Sequence, residues 1–369
     1  MKVLITIASE QTWPQIIPMY HLKNKDGHGF DKIIILYSGF NPSKSKDPAT
    51  RLKTFIEKYD LSKETYLQEV EGEIDFSEPL NNLVNNLGIT TSDDVYVNFT
   101  GGTKTMSLML SIWAAQKGYI LFYTYSGSRL QFYKQISNGI LNKVGSEDID
   151  VRITNDIDPI DIVKLQCGEE FIKDEGRQYK SSVEINNKNI PQSGSDGILL
   201  ERAMLHFFQD SNIKYRHSIK LKAVKASTPH EEIDVLLNYN GTLWLVECKK
   251  RKNLNFNADV RDRIKRAYKG KDVSKPGIID QLIIDLEKNL SSNKHMQFKS
   301  DVFSAKKISG INAKVLWVVT DYDNNDNEFC KSENIEYILV KIENNSNSPR
   351  NNKLTQIAEE NLRNKYFKQ

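Results

Sequence analysis

Apolar stretches alternate with stretches of helix length through the first third of the chain. Five of the apolar stretches have the length and β-branched composition of strands: 2–8, 32–38, 65–70, 94–100 and 119–126. They are nearly continuous in hydrophobic residues, which is typical of parallel strands buried on both faces of a sheet. A sixth stretch, 129–136, follows a Ser-Gly-Ser turn and is predicted to return antiparallel at an edge. The pattern therefore predicts an α/β domain with a mainly parallel sheet.

Two polar turns after predicted strands are candidates for ligand binding. In such a Rossmann-like sheet, ligands bind beyond the carboxyl ends of the strands, where the strand order reverses. The turn 9–12, "SEQT", follows the first strand, and 100–106, "TGGTKTM", follows the fourth. Gly101 and Gly102 permit close approach of the backbone, the amides of a helix N-terminus can bind an anion, and Lys104 adds positive charge. The spacing matches neither a Walker A loop nor a dinucleotide fingerprint, so a simple tight turn stays an alternative.

The second half of the chain has a different pattern. Strand and helix signals weaken over 137–195, which we interpret as a connector. Beyond it, a helix, three strands, a helix and a strand are predicted over 197–210, 213–222, 233–239, 242–249, 277–290 and 313–320. The second and third of these strands meet at Asn240-Gly241, a strong signal for a two-residue hairpin turn. The second half is therefore predicted to be an αβββαβ domain.

The hairpin turn determines which side chains face each other. A two-residue turn pairs Tyr239 with Thr242 and so places Asp234 opposite Glu247, on one face of the hairpin. Lys249 lies two residues beyond Glu247 and projects to the same face. Two carboxylates and a lysine can hold a hard divalent cation and orient a water for phosphodiester hydrolysis. A surface hairpin with an ordinary charged pair is the alternative reading.

This chemistry gives each residue a candidate role. Asp234 and Glu247 are the candidate metal ligands, with the backbone carbonyl of Cys248 as a third. Lys249 would position the water or stabilise the charge that develops on phosphorus. Glu201, on the preceding helix, could complete the ligand shell.

Charge is informative in one segment. The net charge of +3 is the small difference between 51 basic and 48 acidic side chains, but residues 249–275 carry eleven Lys or Arg against three acids. Such a patch suits the phosphate backbone of a nucleic acid, and a solvated loop is the equal alternative. The candidate nucleic-acid contacts are Lys250, Arg251, Lys252, Arg261 and Lys265.

The cysteines and the start of the chain indicate a cellular compartment. Cys167, Cys248 and Cys330 are scattered and odd in number, which argues against a disulfide framework and for a reducing cytoplasm. The N-terminal apolar run is too short for a signal peptide, and no run reaches the ~20 residues of a spanning helix. We therefore expect a soluble, cytoplasmic protein.

At this point the second half resembles a known nuclease superfamily. Residues 195–330 resemble the PD-(D/E)xK nucleases in element order, and Asp234, Glu247 and Lys249 match their motif as D-x12-E-C-K. Ile233 stands where the motif often has proline. The resemblance implies a restriction-endonuclease-like fold and a metal-dependent phosphodiesterase that uses Mn²⁺ or Mg²⁺.

Four further polar residues have weaker readings. Gln281 resembles an extra polar residue that many of these nucleases project towards the site, and a glutamine beside the core is equally compatible. His230, Glu231 and Glu232 are better explained by a polar loop before a strand than by metal ligation.

The two halves together resemble the ancillary nucleases of type III CRISPR systems, in which a CARF sensor domain is fused to a PD-(D/E)xK effector. "ASEQT", "NFTGGTKTM" and "EIDVLL…LVECK" occur in the expected order. We predict a CARF domain over 1–136, a connector over 137–195 and a nuclease domain over 196–369. The resemblance implies a homodimer that binds a cyclic oligoadenylate, most often cyclic tetra-adenylate, and then cuts DNA, RNA or both with little sequence preference.

The same resemblance names the effector contacts. The stronger candidates are Ser9, Gln11, Thr12, Thr100, Gly101, Gly102, Thr103, Lys104 and Met106, and the weaker ones are Ser38, Gly39 and Ser126. Two other functions stay open at this point: a nucleotide-sensing regulator that binds nucleic acid without cutting it, and a restriction or repair endonuclease that needs no effector.

Overall fold

A computed structural model of the 369-residue chain describes most of its residues. The described ranges are 1–39, 42–70, 77–125, 128–135, 141–180, 184–185, 196–221, 232–249, 313–320, 324–332, 334–343 and 353–368. They belong to two compact units. The first unit contains Met1–Glu175 and Leu237–Leu243, and the second contains Gly176–Leu236, 244–249 and Lys314–Gln369. The first unit is therefore discontinuous in sequence, and the predicted boundaries at 136 and 195 stay predictions.

The first unit is built on a seven-stranded sheet. Its strands are β1 (Lys2–Ile7), β2 (Phe30–Ser38), β3 (Ser62–Val70), β4 (Asp94–Asn98), β5 (Ile120–Tyr125), β6 (Arg129–Gln135) and β7 (Leu141–Asp148). The order is β3-β2-β1-β4-β5-β6-β7, with β1 to β5 parallel and β6 and β7 antiparallel. This confirms the predicted mainly parallel α/β fold.

The predicted edge of this sheet was wrong in one respect. β6 does return antiparallel, but β7 pairs with its outer side and forms the edge. β7 lies in the segment predicted as a connector, and most of its residues are exposed. Because an exposed edge strand needs no apolar face, its polar sequence carries no strand signal.

Five helices accompany the sheet of the first unit. They are α1 (Trp13–Asp26), α2 (Pro42–Lys58), α3 (Ser77–Asn86), α4 (Lys104–Gln116) and α5 (Pro159–Cys167). Val3, Ile5 and Ile7 of β1 pack in one buried cluster with side chains from α3 and α4, such as Leu80 and Leu110. The strand order reverses between β1 and β4, so the turns after these two strands lie at the switch point of the sheet.

The segment Leu237–Leu243 makes polar contacts within the first unit. The indole Nε1 of Trp13 donates to the carbonyl oxygen of Gly241 at 2.8 Å. The backbone N–H of Asn240 donates to Oδ1 of Asn155 at 2.6 Å, and the amide of Asn238 donates to the carbonyl of Thr154. These partners lie at least 84 positions apart in sequence.

A second sheet has six strands. They are β8 (Ile172–Asp174), β9 (Tyr215–Leu221), β10 (Glu232–Tyr239), β11 (Thr242–Lys249), β12 (Ala313–Val319) and β13 (Glu336–Leu339), in the order β13-β12-β11-β10-β9-β8. Asn240 and Gly241, at φ 51° and 71°, form the left-handed turn between β10 and β11 that the sequence predicts. The second half is thus a mixed α/β structure with its own sheet.

Within the described ranges, three helices accompany these strands: α6 (Asp196–Asp210), α7 (Asn324–Ser332) and α8 (Gln356–Lys365). The aromatic residues Phe207 and Phe208 of α6 pack against Phe367 and, through it, Trp244. The predicted series from α6 through β9, β10 and β11 to β12 is present, and the helix predicted over 277–290 lies outside the described residues. No helix in the described ranges is both long and apolar enough to cross a membrane.

Candidate functional site

The turn after β4 packs tightly against the end of β1. Gly101 is buried, and a Cβ there would lie 2.5 Å from the carbonyl oxygen of Ile7 and 2.7 Å from Nε2 of Gln15. Gly102 has φ +80°, and a Cβ there would lie 2.5 Å from Cγ2 of Ile7. The close packing against Ile7 therefore requires glycine at both positions, and it brings the two predicted turns side by side.

Thr100 is held by hydrogen bonds to neighbouring strands. Its backbone N–H donates to Oδ1 of Asn98 at 3.0 Å, and its hydroxyl oxygen accepts from the backbone N–H of Thr124 at 2.9 Å. The hydroxyl thus joins the end of β4 to the end of β5. Thr100 consequently fixes the position at which the turn begins.

The turn ends in a capped helix. Thr103 is the N-cap of α4, and its hydroxyl oxygen accepts from the backbone N–H of Met106 at 3.2 Å. The hydroxyl of Ser107 donates to the carbonyl oxygen of Gly101 at 2.6 Å, which closes the turn onto the helix. Thr103 and Lys104 are exposed. The N-terminus of α4 therefore presents backbone amides and one exposed ammonium group to solvent, the arrangement that binds anions.

The turn after β1 is held from within the first unit. The hydroxyl of Ser9 donates to the carbonyl of Gln11 at 3.2 Å and accepts from Nε2 of Gln15 at 2.8 Å. Thr12 is buried, while Ser9 and Gln11 are partly exposed. The turn therefore offers Ser9 and Gln11 to a ligand.

Four buried polar atoms lie near these turns without a protein hydrogen-bond partner in the described part of the chain. They are Oγ1 of Thr6, Oε1 of Gln15, Nδ2 of Asn98 and Oγ1 of Thr124. Thr6 is paired with Asn98 across β1 and β4, and both alternate with side chains that point into the hydrophobic cluster. Buried polar atoms of this kind are normally satisfied by ordered water or a polar ligand. The carboxyl ends of β1, β4 and β5 thus carry a polar layer inside an apolar sheet.

The hairpin of β10 and β11 carries the acidic residues predicted to be catalytic. Oδ2 of Asp234 accepts a hydrogen bond from the backbone N–H of Cys248 at 2.8 Å, so this carboxylate lies against β11 beside Glu247. Glu247 is 5% exposed, whereas Asp234 is partly exposed. Lys249 is the last residue of β11, and its side chain lies outside the described residues.

Glu201 lies on α6 and contacts a histidine that the sequence reasoning missed. Its Oε1 is 3.8 Å from Nδ1 of His217, and the side chain of His217 is buried. The ring of Tyr179 stacks on His217 with a centroid separation of 4.5 Å. Glu201 therefore has a buried histidine beside it, which its position in the sequence did not indicate.

Metal binding depends on how donor side chains are arranged in the described residues. In this part of the chain, no group of three or more His, Cys, Asp and Glu residues is arranged as a metal site. Asp234 and Glu247 supply two carboxylates from neighbouring strands, which is the donor type that Mg²⁺ and Mn²⁺ prefer.

Comparison with known families gives a match within the first unit. Residues 3–152 match the Card1 CARF domain family. We refer to the matched residues as the CARF domain. The CARF domain comprises β1 to β7 and α1 to α4, and it contains both of the turns described above.

Several solved structures are similar to most of the chain. Protein VC1899 from Vibrio cholerae is 11% identical, with a TM-score of 0.52 over 91% of this chain and 93% of that one, which shows a shared fold. Can2 from Sulfobacillus thermosulfidooxidans in complex with cyclic tetra-adenylate is 13% identical, with a TM-score of 0.48 over 95% and 94% of the chains. A type III CRISPR defence DNA nuclease activated by cyclic oligoadenylate is 14% identical, with a TM-score of 0.47 over 86% of this chain and 45% of that one. No curated protein matches the chain.

Among the described residues, the CARF domain brings most of the predicted effector contacts together, but not Met106 and Ser38. Met106 is buried in the hydrophobic cluster beneath α4, so we assign its side chain to the core. Ser38 is also buried, and its backbone N–H donates to the hydroxyl of Ser45 at 2.6 Å, whereas Gly39 is exposed. Ser126 lies outside the described residues.

Other predicted residues also lie outside the described residues. They are Lys250, Arg251, Lys252, Arg261, Lys265, Gln281, His230 and Glu231. Glu232 is the exposed first residue of β10. The predicted basic patch and its contacts with nucleic acid therefore stay predictions.

Three residues that touch the two turns of the CARF domain were not predicted. Gln15 and Asn98 bond to Ser9 and Thr100 from a buried position, and Gln166 bonds to Thr12. For Gln15 and Asn98, a polar residue inside an apolar pattern was the available signal. For Gln166 there was none, because its partner is 154 positions away.

Proposed function

We propose that the chain is a metal-dependent nuclease of type III CRISPR defence, activated when its CARF domain binds a cyclic oligoadenylate such as cyclic tetra-adenylate. The substrate is DNA, RNA or both, cut with little sequence preference. The proposal rests on the presence of two features in one chain. The first is the match to the Card1 CARF domain, and the second is a hairpin in which the backbone N–H of Cys248 holds the Asp234 carboxylate beside Glu247.

The chemistry of the turns supports effector binding. A cyclic oligoadenylate presents several phosphates, and the N-terminus of α4 with exposed Lys104 offers amides and positive charge to one of them. Ser9 and Gln11 add hydroxyl and amide groups suited to ribose or base edges. The polar layer of Thr6, Asn98 and Thr124 is consistent with a hydrated floor under such a ligand.

Exposed apolar residues beside the effector turn support a homodimer. Leu108 and Ile112, one turn apart on α4, are 59% and 43% exposed. A second copy would cover this apolar surface. A ring of repeated nucleotides can satisfy the two identical half-sites that an isologous dimer creates.

The hairpin residues fit a hard divalent cation. Asp234, Glu247 and the carbonyl of Cys248 supply oxygen ligands, and Glu201 is a further candidate. Mg²⁺ or Mn²⁺ bound there would activate water and stabilise charge on the scissile phosphate. The Cys248 N–H holds the Asp234 carboxylate against β11. Glu247 places negative charge in a buried position, which a cation would compensate.

The positive charge of Lys104 is expected to strengthen effector binding. Lys104→Gln should weaken cyclic tetra-adenylate binding about tenfold at low salt, because an ammonium group near phosphate is lost, and the difference should shrink at high salt. Calorimetric titration at two ionic strengths measures this effect. Lys117→Gln, at the other end of α4, is the matched control. Equal affinities for Lys104→Gln and the unchanged protein would contradict the assignment.

Activation by the effector is the direct test of the proposed function. The purified full-length protein is incubated with Mn²⁺ or Mg²⁺ on plasmid, single-stranded DNA and RNA, with cyclic tetra-adenylate, with linear tetra-adenylate or with neither. We expect cleavage only with metal and the cyclic compound, and a dimeric mass by light scattering.

Two outcomes of this assay favour the other functions. Cleavage that is independent of the cyclic compound would indicate a restriction or repair endonuclease. Nucleic-acid binding that changes with the effector, without cleavage on any substrate, would indicate a regulator. Either result would refute the activated nuclease.

A further inference from the structure

Beyond the residues that line the turns, one residue of α5 holds the turn after β1 in place. We propose that Gln166 is a positioning residue of the effector site, which keeps Glu10 to Thr12 in the conformation that binds the cyclic oligoadenylate. Gln166 lies beyond residue 152, where the match to the Card1 CARF domain ends. This inference rests on the proposed effector binding and adds a residue outside the matched domain.

The side-chain amide of Gln166 uses both of its ends on the turn. Its Oε1 accepts from the backbone N–H of Thr12 at 3.2 Å and lies 3.3 Å from the Thr12 hydroxyl oxygen. Its Nε2 donates to the carbonyl oxygen of Glu10. Gln166 is 8% exposed, so these bonds form away from water. A planar group with one acceptor and one donor matches this stretch of backbone, and a carboxylate does not.

The turn after β1 is not held by a side-chain cap of α1, the helix that follows it; Gln166 of α5 holds it instead. Thr12 is the N-cap of α1, but its side chain accepts no capping hydrogen bond; its hydroxyl instead donates to the carbonyl of Leu165 at 3.0 Å. At the start of α4, by contrast, Thr103 caps its own helix through the N–H of Met106. The turn after β4 is thus held locally, whereas the turn after β1 is held from α5.

The end of α5 is itself anchored to α2. Nε of Arg51 donates to the carbonyl of Leu165 at 2.9 Å, and its Nη2 donates to the carbonyl of Gln166 at 3.2 Å. These bonds satisfy carbonyl groups that a helix C-terminus leaves unpaired. One turn earlier, the carboxylate of Asp161 accepts from the hydroxyl of Tyr59 at 2.6 Å. Gln166 therefore extends from a fixed helix end.

A fixed turn matters for affinity because ordering a loop costs free energy when a ligand binds. Ser9 and Gln11, the partly exposed residues of the turn, are ordered in advance if Gln166 holds Glu10 and Thr12. Loss of the clamp should therefore weaken binding without changing the chemistry that follows at the hairpin.

The test separates affinity from catalytic rate. Gln166→Glu keeps the shape but replaces the N–H donor by an oxygen that faces the Glu10 carbonyl. We expect its dissociation constant for cyclic tetra-adenylate to rise about tenfold, as for the loss of a buried hydrogen bond, with an unchanged cleavage rate at saturating effector. Gln116→Glu, an exposed glutamine at the end of α4, is the control and should bind normally.

A double-mutant cycle asks whether Gln166 acts through Thr12. The losses in affinity of Gln166→Met and Thr12→Val should be less than additive when the two are combined, because the Thr12 hydroxyl and the Gln166 amide lie 3.3 Å apart and hold the same turn. Gln166→Met also replaces Gln166→Glu in the titration if the charged variant does not fold, and the same tenfold loss is expected.

The outcomes distinguish this inference from the function on which it rests. If the unchanged protein does not bind cyclic tetra-adenylate, the proposed function fails and the inference fails with it. If the unchanged protein binds and the Gln166 variants bind equally well, only the inference is overturned. A saturated cleavage rate that falls together with affinity and thermal stability would mean that Gln166 has a merely structural role, which also overturns the inference.

Discussion

Glu247→Gln is expected to reduce cleavage by roughly 10³-fold, the scale seen when a group that stabilises transition-state charge is removed. Glutamine has the same shape, so the buried position stays filled, but the negative charge that would bind the metal is gone. Binding of cyclic tetra-adenylate should be unchanged, since the CARF turns are not altered. Product formation at saturating effector and metal, with calorimetric titration of the effector, measures both quantities.

The same hairpin offers a matched control. Glu232→Gln removes an exposed negative charge at the start of β10, two residues from Asp234, and should leave cleavage near the level of the unchanged protein. Metal binding can be followed apart from activity, because a ligand that binds the folded state raises the unfolding temperature. Mn²⁺ should stabilise the unchanged protein and fail to stabilise Glu247→Gln. Cleavage that survives this substitution would remove Glu247 from the site.

Gly102→Ala should weaken cyclic tetra-adenylate binding by roughly 10- to 100-fold. The alanine would have about 1–2 kcal/mol of strain in its left-handed backbone, and its methyl group would add a steric clash. The new methyl group would lie 2.5 Å from Cγ2 of Ile7. Ile7 ends β1, so the displacement reaches the turn that contains Ser9. Titration calorimetry gives the affinity, and thermal unfolding gives the accompanying loss of stability.

Gly118→Ala separates the two causes. Gly118 has φ +72°, close to that of Gly102, but a Cβ there would meet no atom within 4 Å. Both substitutions should lower the unfolding temperature, and only Gly102→Ala should lower the affinity for the effector. An equal loss of affinity in both variants would show that general backbone strain, and not the packing of the turn on Ile7, explains the effect.

Local patterns made much of the fold predictable. β1 and β2 are apolar because nearly all of their residues are buried in the sheet, and Asn240-Gly241 specified the hairpin through its left-handed backbone. β7 was missed because its residues are mostly exposed. Met106 was predicted as an effector contact because it was grouped with the turn, whereas its side chain is buried and its spacing from Leu110 is that of a buried helix face.

The candidate site was less predictable than the fold. Gly101, Gly102 and the carboxylates of the hairpin carry signals in short motifs, and these could be found in the sequence. The contacts that hold the turns in place could not, since Gln166 meets Thr12 across 154 positions and Trp13 meets Gly241 across 228. Such pairs share no local pattern, and only the folded chain brings them together.

The discontinuous first unit has a consequence for how this protein can be rearranged. A protein that ended at Glu175 would keep Trp13 and Asn155 but lose the Gly241 carbonyl and the Asn240 N–H with which they bond. A buried indole N–H would then lack its acceptor, which costs stability. Recombination that exchanges the second unit for another must therefore carry or recreate the Leu237–Leu243 turn. These seven residues lie within the exchanged stretch of sequence but belong to the first unit.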